Sequence, residues 1–365
     1  MENNLSNSIL PATNINTGNK NIINILLIIA IIILLLCIFS YVSEKFTNTD
    51  NNVIVPKVKF PFKNLFDDEN NLVNVILISA PLYSDDDMAN YQLYKNMGMY
   101  ISGISSYQEF PDRMINPHEH GTDDEKTRDY ANIASSWLPC HRDLPPILKN
   151  SKLPMQLITE ADLKNTDHYK PDPKIEKIYD FIYICLDDND TCTPGWNWHI
   201  RNWDLAKKCI EIMCSEYNLK GAIIGRTNCE FTSKCLNNVT RKPMLPFHEF
   251  QIELQKAKFI FAPNTTDASP RVITESLCYN MPALVNYNIT GGWHNIIPGI
   301  TGEFFTSEHD LRPALEKIIN NKYDPREWYL KNRGLTVSGA ELAQFYKDIY
   351  PNLNNKTMKY CYITI

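Results

Sequence analysis

Apolar residues in this chain gather into short unbroken runs separated by polar loops and amphipathic stretches. Leu72–Ser79 (LVNVILIS), Ile178–Leu186 (IYDFIYICL), Phe259–Ala262 and Ala283–Asn286 are apolar almost throughout. Strands covered by helices on both faces have this pattern, so these runs are expected to lie in parallel sheets. Tyr100–Ser106, Met155–Thr159 and Ala222–Ile224 are further expected strands. Helical spacing appears between and after them. Leu205, Cys209 and Ile212 follow Arg201–Asp204, and Phe250 and Leu254 lie within Pro246–Lys256. Leu311, Leu315 and Ile318 fall in register, as do Leu342, Phe345 and Ile349. Alternating strands and helices predict an α/β fold. A polar stretch with two prolines, 164–175, divides them into two sets.

The longest apolar run is Ile22–Val42, with Asn24 as its one strongly polar residue. From Ile25 it has 18 residues, enough to span a bilayer, with Tyr41 near an interface. A cleaved signal peptide is the rival, but the run is long for one and follows a tail with little basic charge. The expectation is a single-pass membrane protein with residues 1–21 as a disordered tail, 22–42 as the anchor and 43–70 as a tether. Lys45, Lys57 and Lys59 after the run lean toward a cytosolic catalytic domain. About 300 residues remain, enough for two domains of ordinary size.

The net charge of −6 and the lack of a basic stripe argue against nucleic acid as a partner. The ten cysteines form no C-x-x-C and no zinc spacing with histidine. Cys185, Cys209 and Cys278 fall in apolar segments and are expected as buried thiols. Cys229 and Cys235 are candidates for a bridge in an oxidising lumen. N-x-T triplets stand at Asn189, Asn238, Asn264, Asn288 and Asn355. A glycan at Asn264 would obstruct the loop described next, which favours a compartment without N-glycosylation. Heavy use of Asn and Ile suggests an A/T-rich genome, such as that of a large virus or a protist.

The rest of the chain is organised around Lys258–Phe305. A buried strand ends at Pro263, and a polar loop runs from Asn264 to Ser269. Ser269 is placed to cap a helix whose first turn holds Pro270. Arg271–Tyr279 can be that helix, and Asn280 and Pro282 lead into the next strand. The loop leaves the C-terminal edge of a strand, where open α/β sheets bind ligands, and a helix N-terminus suits a diphosphate. Seven residues separate Asp267 in the loop from Glu275 in the helix. Glu275 is placed to accept two ribose hydroxyls; the rival reading is a capped helix with a solvated acidic face.

This stretch, DASPRVITESLCYNMPALV, resembles the nucleotide-sugar-binding region of group 1 glycosyltransferases, family four of the retaining enzymes. Asp267 stands where that family usually has Glu, and Glu275 matches its second acidic residue. Asn280 stands where Gly is usual, and Asn is the next-best residue for a left-handed position. Gly291-Gly292-Trp293 and Thr301–Phe305 resemble a branch of the same enzymes. The resemblance covers about half the chain and is weak before residue 175. It implies a GT-B fold, two Rossmann-like domains facing a cleft, preceded here by one N-terminal transmembrane helix. The expected acceptor domain is 71–165, the nucleotide-sugar domain 176–335, and the bracing helix and tail 336–365.

The resemblance also implies a reaction: transfer of a hexosyl group from a nucleoside diphosphate sugar, with UDP or GDP as carrier, to a hydroxyl with retention. The acceptor would be a glycan, a lipid-linked group or a protein. The architecture requires no metal and no cofactor. By the resemblance Arg201 is the basic residue that reaches the donor phosphates, Glu275 holds ribose, and Asp267 touches the sugar. The family often has Gly-Arg after the first strand of this domain, where this chain has Leu186-Asp187-Asp188. Gly225-Arg226 is a candidate substitute, and Ser269 and Arg271 complete the expected donor set. Arginine suits the work because its guanidinium donates in a fork to phosphate oxygens.

Three polar clusters in the first half carry rival readings. Asp85–Asp87 either binds a cation or, as favoured, caps a helix over Met88–Met97. His118, Glu119 and His120 lack zinc-protease spacing and lie on a surface excursion or an acceptor loop. Glu160 and Asp162 follow an expected strand and would face the cleft. Two other functions stay open, a catalytically inactive tethered carbohydrate-binding or structural module and a sugar-nucleotide epimerase.

Overall fold

The computed structural model describes residues 46–48, 54–56, 58–107, 110–111 and 128–363. The segment 22–42, the tail before it and His118–His120 lie outside the described residues. Among the described residues no helix is long and apolar enough to cross a membrane. The chain divides into two units at residues 58 and 59. In the first, β1 (Phe46–Asn48) pairs antiparallel with β2 (Ile54–Pro56).

The second unit holds two sheets. The first sheet begins with β3 (Phe62–Asp67), which runs antiparallel to β4 (Leu72–Ile78). Parallel strands β5 (Tyr100–Ile104) and β6 (Ser136–Leu138) follow on the far side of β4. The end of the expected tether is therefore a strand, because Phe62 and Leu65 are buried against the sheet. Between β4 and β5 lies the helix Asp85–Asn96. Its Ser84 and Asp87 exchange side-chain-to-backbone hydrogen bonds of 3.1 and 2.9 Å. The acidic run is the first turn of the helix, with Asp87 completing the cap of Ser84. The expected strand Met155–Thr159 touches β6 through two backbone hydrogen bonds only, Trp137 N–H to Pro154 and Gln156 N–H to Trp137.

The second sheet is wholly parallel. Its strands are β7 (Tyr179–Ile184), β8 (Gly221–Ile224), β9 (Val239–Lys242), β10 (Ala257–Ala262), β11 (Ala283–Asn286) and β12 (Gly302–Phe305). Their spatial order is β12-β11-β10-β7-β8-β9. The order reverses between β7 and β10, the topological switch point where such sheets hold ligands. Phe181, Tyr183 and Phe261 enter one helix-covered core, and Ile182, Ile260 and Ile224 enter the other. Burial on both faces explains the unbroken apolar runs.

The chain then returns. The helix Leu335–Ile349 places Leu342, Ala343 and Tyr346 in the core of the first sheet with Val75, Ile104 and Leu138. Next, β13 (Cys361–Ile363) pairs antiparallel with β3. The last segment of the chain thus belongs to the first sheet.

The disulfides are Cys192–Cys229 and Cys214–Cys235, not Cys229–Cys235. Cys235 lies on the helix Ser233–Asn238, packed against the helix Trp203–Ser215 that carries Cys214, so nearness in sequence does not decide the pairing. Cys185, Cys209 and Cys278 are buried thiols. Asn280 has φ of 58°, the left-handed position expected of it.

Candidate active site

The loop from Pro263 to Pro270 leaves β10 at the switch point and enters the helix Arg271–Cys278. Arg201 reaches it from the segment that follows the neighbouring strand β7, standing between the helices Trp196–Ile200 and Trp203–Ser215. Its backbone is fixed on both sides. The Tyr183 hydroxyl donates to the Arg201 carbonyl at 2.8 Å. Asn202, in a left-handed conformation, donates to the Pro263 carbonyl at 3.0 Å. Arg201 Nη1 then forms an ion pair with Asp267 Oδ2, and Asn264 Nδ2 donates to the same oxygen at 3.2 Å. Both members of the pair are partly exposed.

A second loop holds the first in shape. Thr290 N–H donates to Thr265 O and Gly291 N–H to Asp267 O, each at 2.9 Å. A Cβ on Gly291 would lie 1.8 Å from the Ala268 carbonyl oxygen, so only glycine permits this approach. Gly292 has φ of 72°, and its Cβ would meet Pro270. The Gly-Gly pair is therefore a backbone requirement of the Asp267 loop. Ser269 does not cap the following helix; Pro270 occupies that position. The Ser269 hydroxyl instead accepts from Ala161 N–H at 3.0 Å, across from the first sheet's half.

Ala161 belongs to the short 3₁₀ helix Glu160–Leu163, and the charged residues there alternate with apolar ones. Glu160 accepts from Lys63 at 2.7 Å and from Arg271 at 3.1 Å. Asp162 accepts from Thr159 N–H at 2.7 Å, from Asn295 Nδ2 at 2.7 Å and pairs with His294 Nε2 at 3.0 Å. Lys164 Nζ lies 2.5 Å from Glu275 Oε1. Asp162 is 1% exposed, and Lys164 and Glu275 are each 6% exposed. Burial alone would raise the Asp162 carboxyl, but His294, Asn295 and the Thr159 amide outweigh it and hold it well below the usual range. Burial, with the Glu275 carboxylate beside it, pushes the Tyr169 hydroxyl up to about 12.

Arg226 is not in this group. It is 1% exposed and lies beside the rings of Trp198 and Trp203. Its guanidinium donates to the Leu186 carbonyl at 2.6 Å and to Asp188 at 2.7 Å. Asp188 also accepts from the N-terminus of Trp196–Ile200, through Asn197 and Trp198 N–H. Arg226 is thus a buried strut that joins the loops after β7 and β8. Its charged partner is Asp188, a residue that marked the departure from the family pattern.

Of the six expected donor residues, the structure brings Arg201 and Asp267 into direct contact. Ser269 ends the same loop, and Arg271 and Glu275 lie in the first two turns of the helix that follows. Lys63, Lys164, His294 and Asn295 were not singled out by sequence. The one signal for Lys164 is the alternation of charges at 160, 162 and 164.

The chain matches no family model and no curated protein. Among solved structures it is similar to sucrose-phosphate synthase of Thermosynechococcus elongatus. The TM-score is 0.51 at 12% identity, with 73% of this chain and 71% of that one covered. The fold is GT-B. Two further GT-B likenesses are TarM, with TM-score 0.49 at 12% identity over 82% of this chain and 68% of that one, and HepE of Anabaena, crystallised with UDP and glucose. HepE gives TM-score 0.49 at 12% identity, over 73% of this chain and 76% of that one.

Proposed function

We propose that the chain is a retaining glycosyltransferase that moves a hexosyl group from a nucleoside diphosphate sugar to a hydroxyl of a glycan, lipid-linked or protein acceptor. The observation that carries this reading is the contact of Arg201 with Asp267 at the switch point, with Glu275 on the helix that the same loop begins. The donor diphosphate would lie against Arg201 and the N-terminus of the helix, where charge-assisted hydrogen bonds and helix N–H groups suit it. Asp267 would turn to a sugar hydroxyl, and Glu275 would hold ribose.

The chemistry is a substitution at the anomeric carbon. Its bond to the diphosphate oxygen breaks, and the acceptor oxygen bonds to the same face. The acceptor proton passes to the departing phosphate oxygen, leaving a nucleoside diphosphate. Arg201 stabilises the charge that grows on that phosphate, a preorganised electrostatic contribution. No side-chain nucleophile is assigned.

The two disulfides favour an oxidising compartment for this part of the chain, against the lysine count after Val42. The proposed arrangement is a lumen-facing or exterior catalytic unit tethered by residues 22–42. A tethered module without activity is the second reading. It is favoured by the ion pair between Arg271 and Glu160, which already neutralises one expected phosphate contact.

The test is incubation of the full chain with UDP-, GDP- and ADP-hexoses and a panel of hydroxyl acceptors. Release of nucleoside diphosphate with a product of unchanged anomeric configuration, read by NMR, supports the proposal. An inverted product contradicts retention, and no turnover of any donor favours the inactive module.

A further inference from the structure

We propose that Lys164 is a positioning residue for Glu275, and that through it the site distinguishes ribonucleotides from 2′-deoxyribonucleotides. The inference rests on the donor reading above.

The geometry is specific. Lys164 sits just after the 3₁₀ helix, where its carbonyl accepts from Leu335 N–H at 2.8 Å. That bond ties it to the first turn of the helix Leu335–Ile349. Its ammonium lies over the Tyr169 ring at 5.0 Å and touches Glu275 Oε1 at 2.5 Å. Tyr169 packs edge-on against Tyr279, one turn beyond Glu275 on the same helix. Lys164 thus bridges the Glu275 carboxylate to the Tyr169 ring, with Tyr279 packed against that ring.

A buried carboxylate needs a counter-charge, and a lysine supplies it as a point contact. An ionised carboxylate offers about four acceptor sites, so one ammonium on Oε1 leaves capacity for ribose hydroxyls. It also fixes the rotation of the carboxylate, which a pair of hydroxyls would otherwise have to order on binding. Arginine would act differently. Its planar fork engages both oxygens of a carboxylate and competes with a diol.

The neighbours point the same way. Glu160, Asp162 and Lys164 alternate along five residues, and each binds a group from the second sheet's half: Arg271, His294 with Asn295, and Glu275. The whole segment sets groups at the expected donor site, and Lys164 is the member aimed at the ribose end.

The experiment compares binding of UDP with 2′-deoxy-UDP, and of GDP with 2′-deoxy-GDP, to the full chain by titration calorimetry. The wild type is expected to prefer the ribonucleotide about 10-fold or more, the worth of one hydroxyl hydrogen bond to a charged group. Lys164→Met is expected to bring that ratio close to one. Lys164→Arg guards against misfolding: it keeps the buried ion pair and the melting temperature, yet loses the ratio. A folded variant of either kind that keeps the wild-type ratio overturns the proposal and leaves Lys164 a structural residue. A wild type that binds both sugars equally also overturns it, with the diphosphate site intact. A wild type that binds no nucleotide overturns the donor reading itself, and this inference with it.

Discussion

Arg201 and Asp267 are 66 residues apart in sequence and form an ion pair where the second sheet reverses its strand order. One carries charge suited to a phosphate and the other an acceptor suited to a sugar hydroxyl. Each holds the other in place at the mouth of the same loop.

That pairing separates two effects. Arg201→Ala should lower kcat/KM for the donor by about 10- to 100-fold, the range for a hydrogen bond between charged groups. Asp267→Asn leaves Arg201 without its counter-charge. It should tighten binding of free nucleoside diphosphate several-fold while slowing sugar transfer. Calorimetry with the diphosphate and steady-state kinetics with the sugar donor check the two halves. Equal loss in both assays for Asp267→Asn would contradict the assigned roles.

Arg226 should behave as a structural residue. Arg226→Met takes away the counter-charge of Asp188 and the guanidinium that packs beside two tryptophans, and should cost about 3 kcal/mol of stability. Lysine should not restore it, because one ammonium cannot serve Leu186, Asp188 and Cys185 together. Urea denaturation reads both. A variant of normal stability with weakened donor binding would return Arg226 to the donor site.

Asp162 predicts an acid sensitivity. Its folded carboxyl lies below the unfolded value of about 4, so its stabilising contribution is complete above that value and is lost as pH falls through and below it. Asp162→Ala removes the partner of His294 and Asn295 and should cost about 3–5 kcal/mol near pH 7. The gap between wild type and variant should narrow in acid, as melting curves between pH 7 and pH 3 would show.

The disulfides predict a redox dependence. Cys192–Cys229 spans 37 positions and Cys214–Cys235 spans 21; Cys214, Cys229 and Cys235 share one core of the second sheet's half, and Cys229 Sγ lies 3.7 Å from Arg226. Removing either by serine substitution should cost about 2–4 kcal/mol. Added reductant should lower the melting temperature of the wild type and leave the double-substituted chain unchanged.

The second sheet was largely legible in the sequence because strands buried on both faces leave unbroken apolar runs, as at Phe259–Ala262. The loop and helix after that run were legible through proline, asparagine and the acidic spacing. Short or polar strands were not: β6 is Ser-Trp-Leu, β9 is Val-Thr-Arg-Lys, and β13 pairs across nearly the whole chain. Lys164 was read as the start of a linker because its burial depends on Glu275, 111 residues away. The partner of Arg226 was hidden for the same reason, since Asp188 lies 38 residues before it and only the fold shows that they meet. Charge in a sequence marks a candidate for a ligand, but a buried partner elsewhere in the chain can take that charge first.

The central claim is a nucleoside diphosphate sugar site built on Arg201, Asp267 and Glu275. The most direct measurement is thermal melting of the full chain with UDP-, GDP- and ADP-sugars, beside Glu275→Ala. A ligand that binds the folded state raises its melting temperature, by about 2.7 kcal/mol of stability at 100 times Kd. The account predicts a clear rise with one nucleotide sugar and little or none in the variant. No rise with any of them from the folded wild type would contradict it.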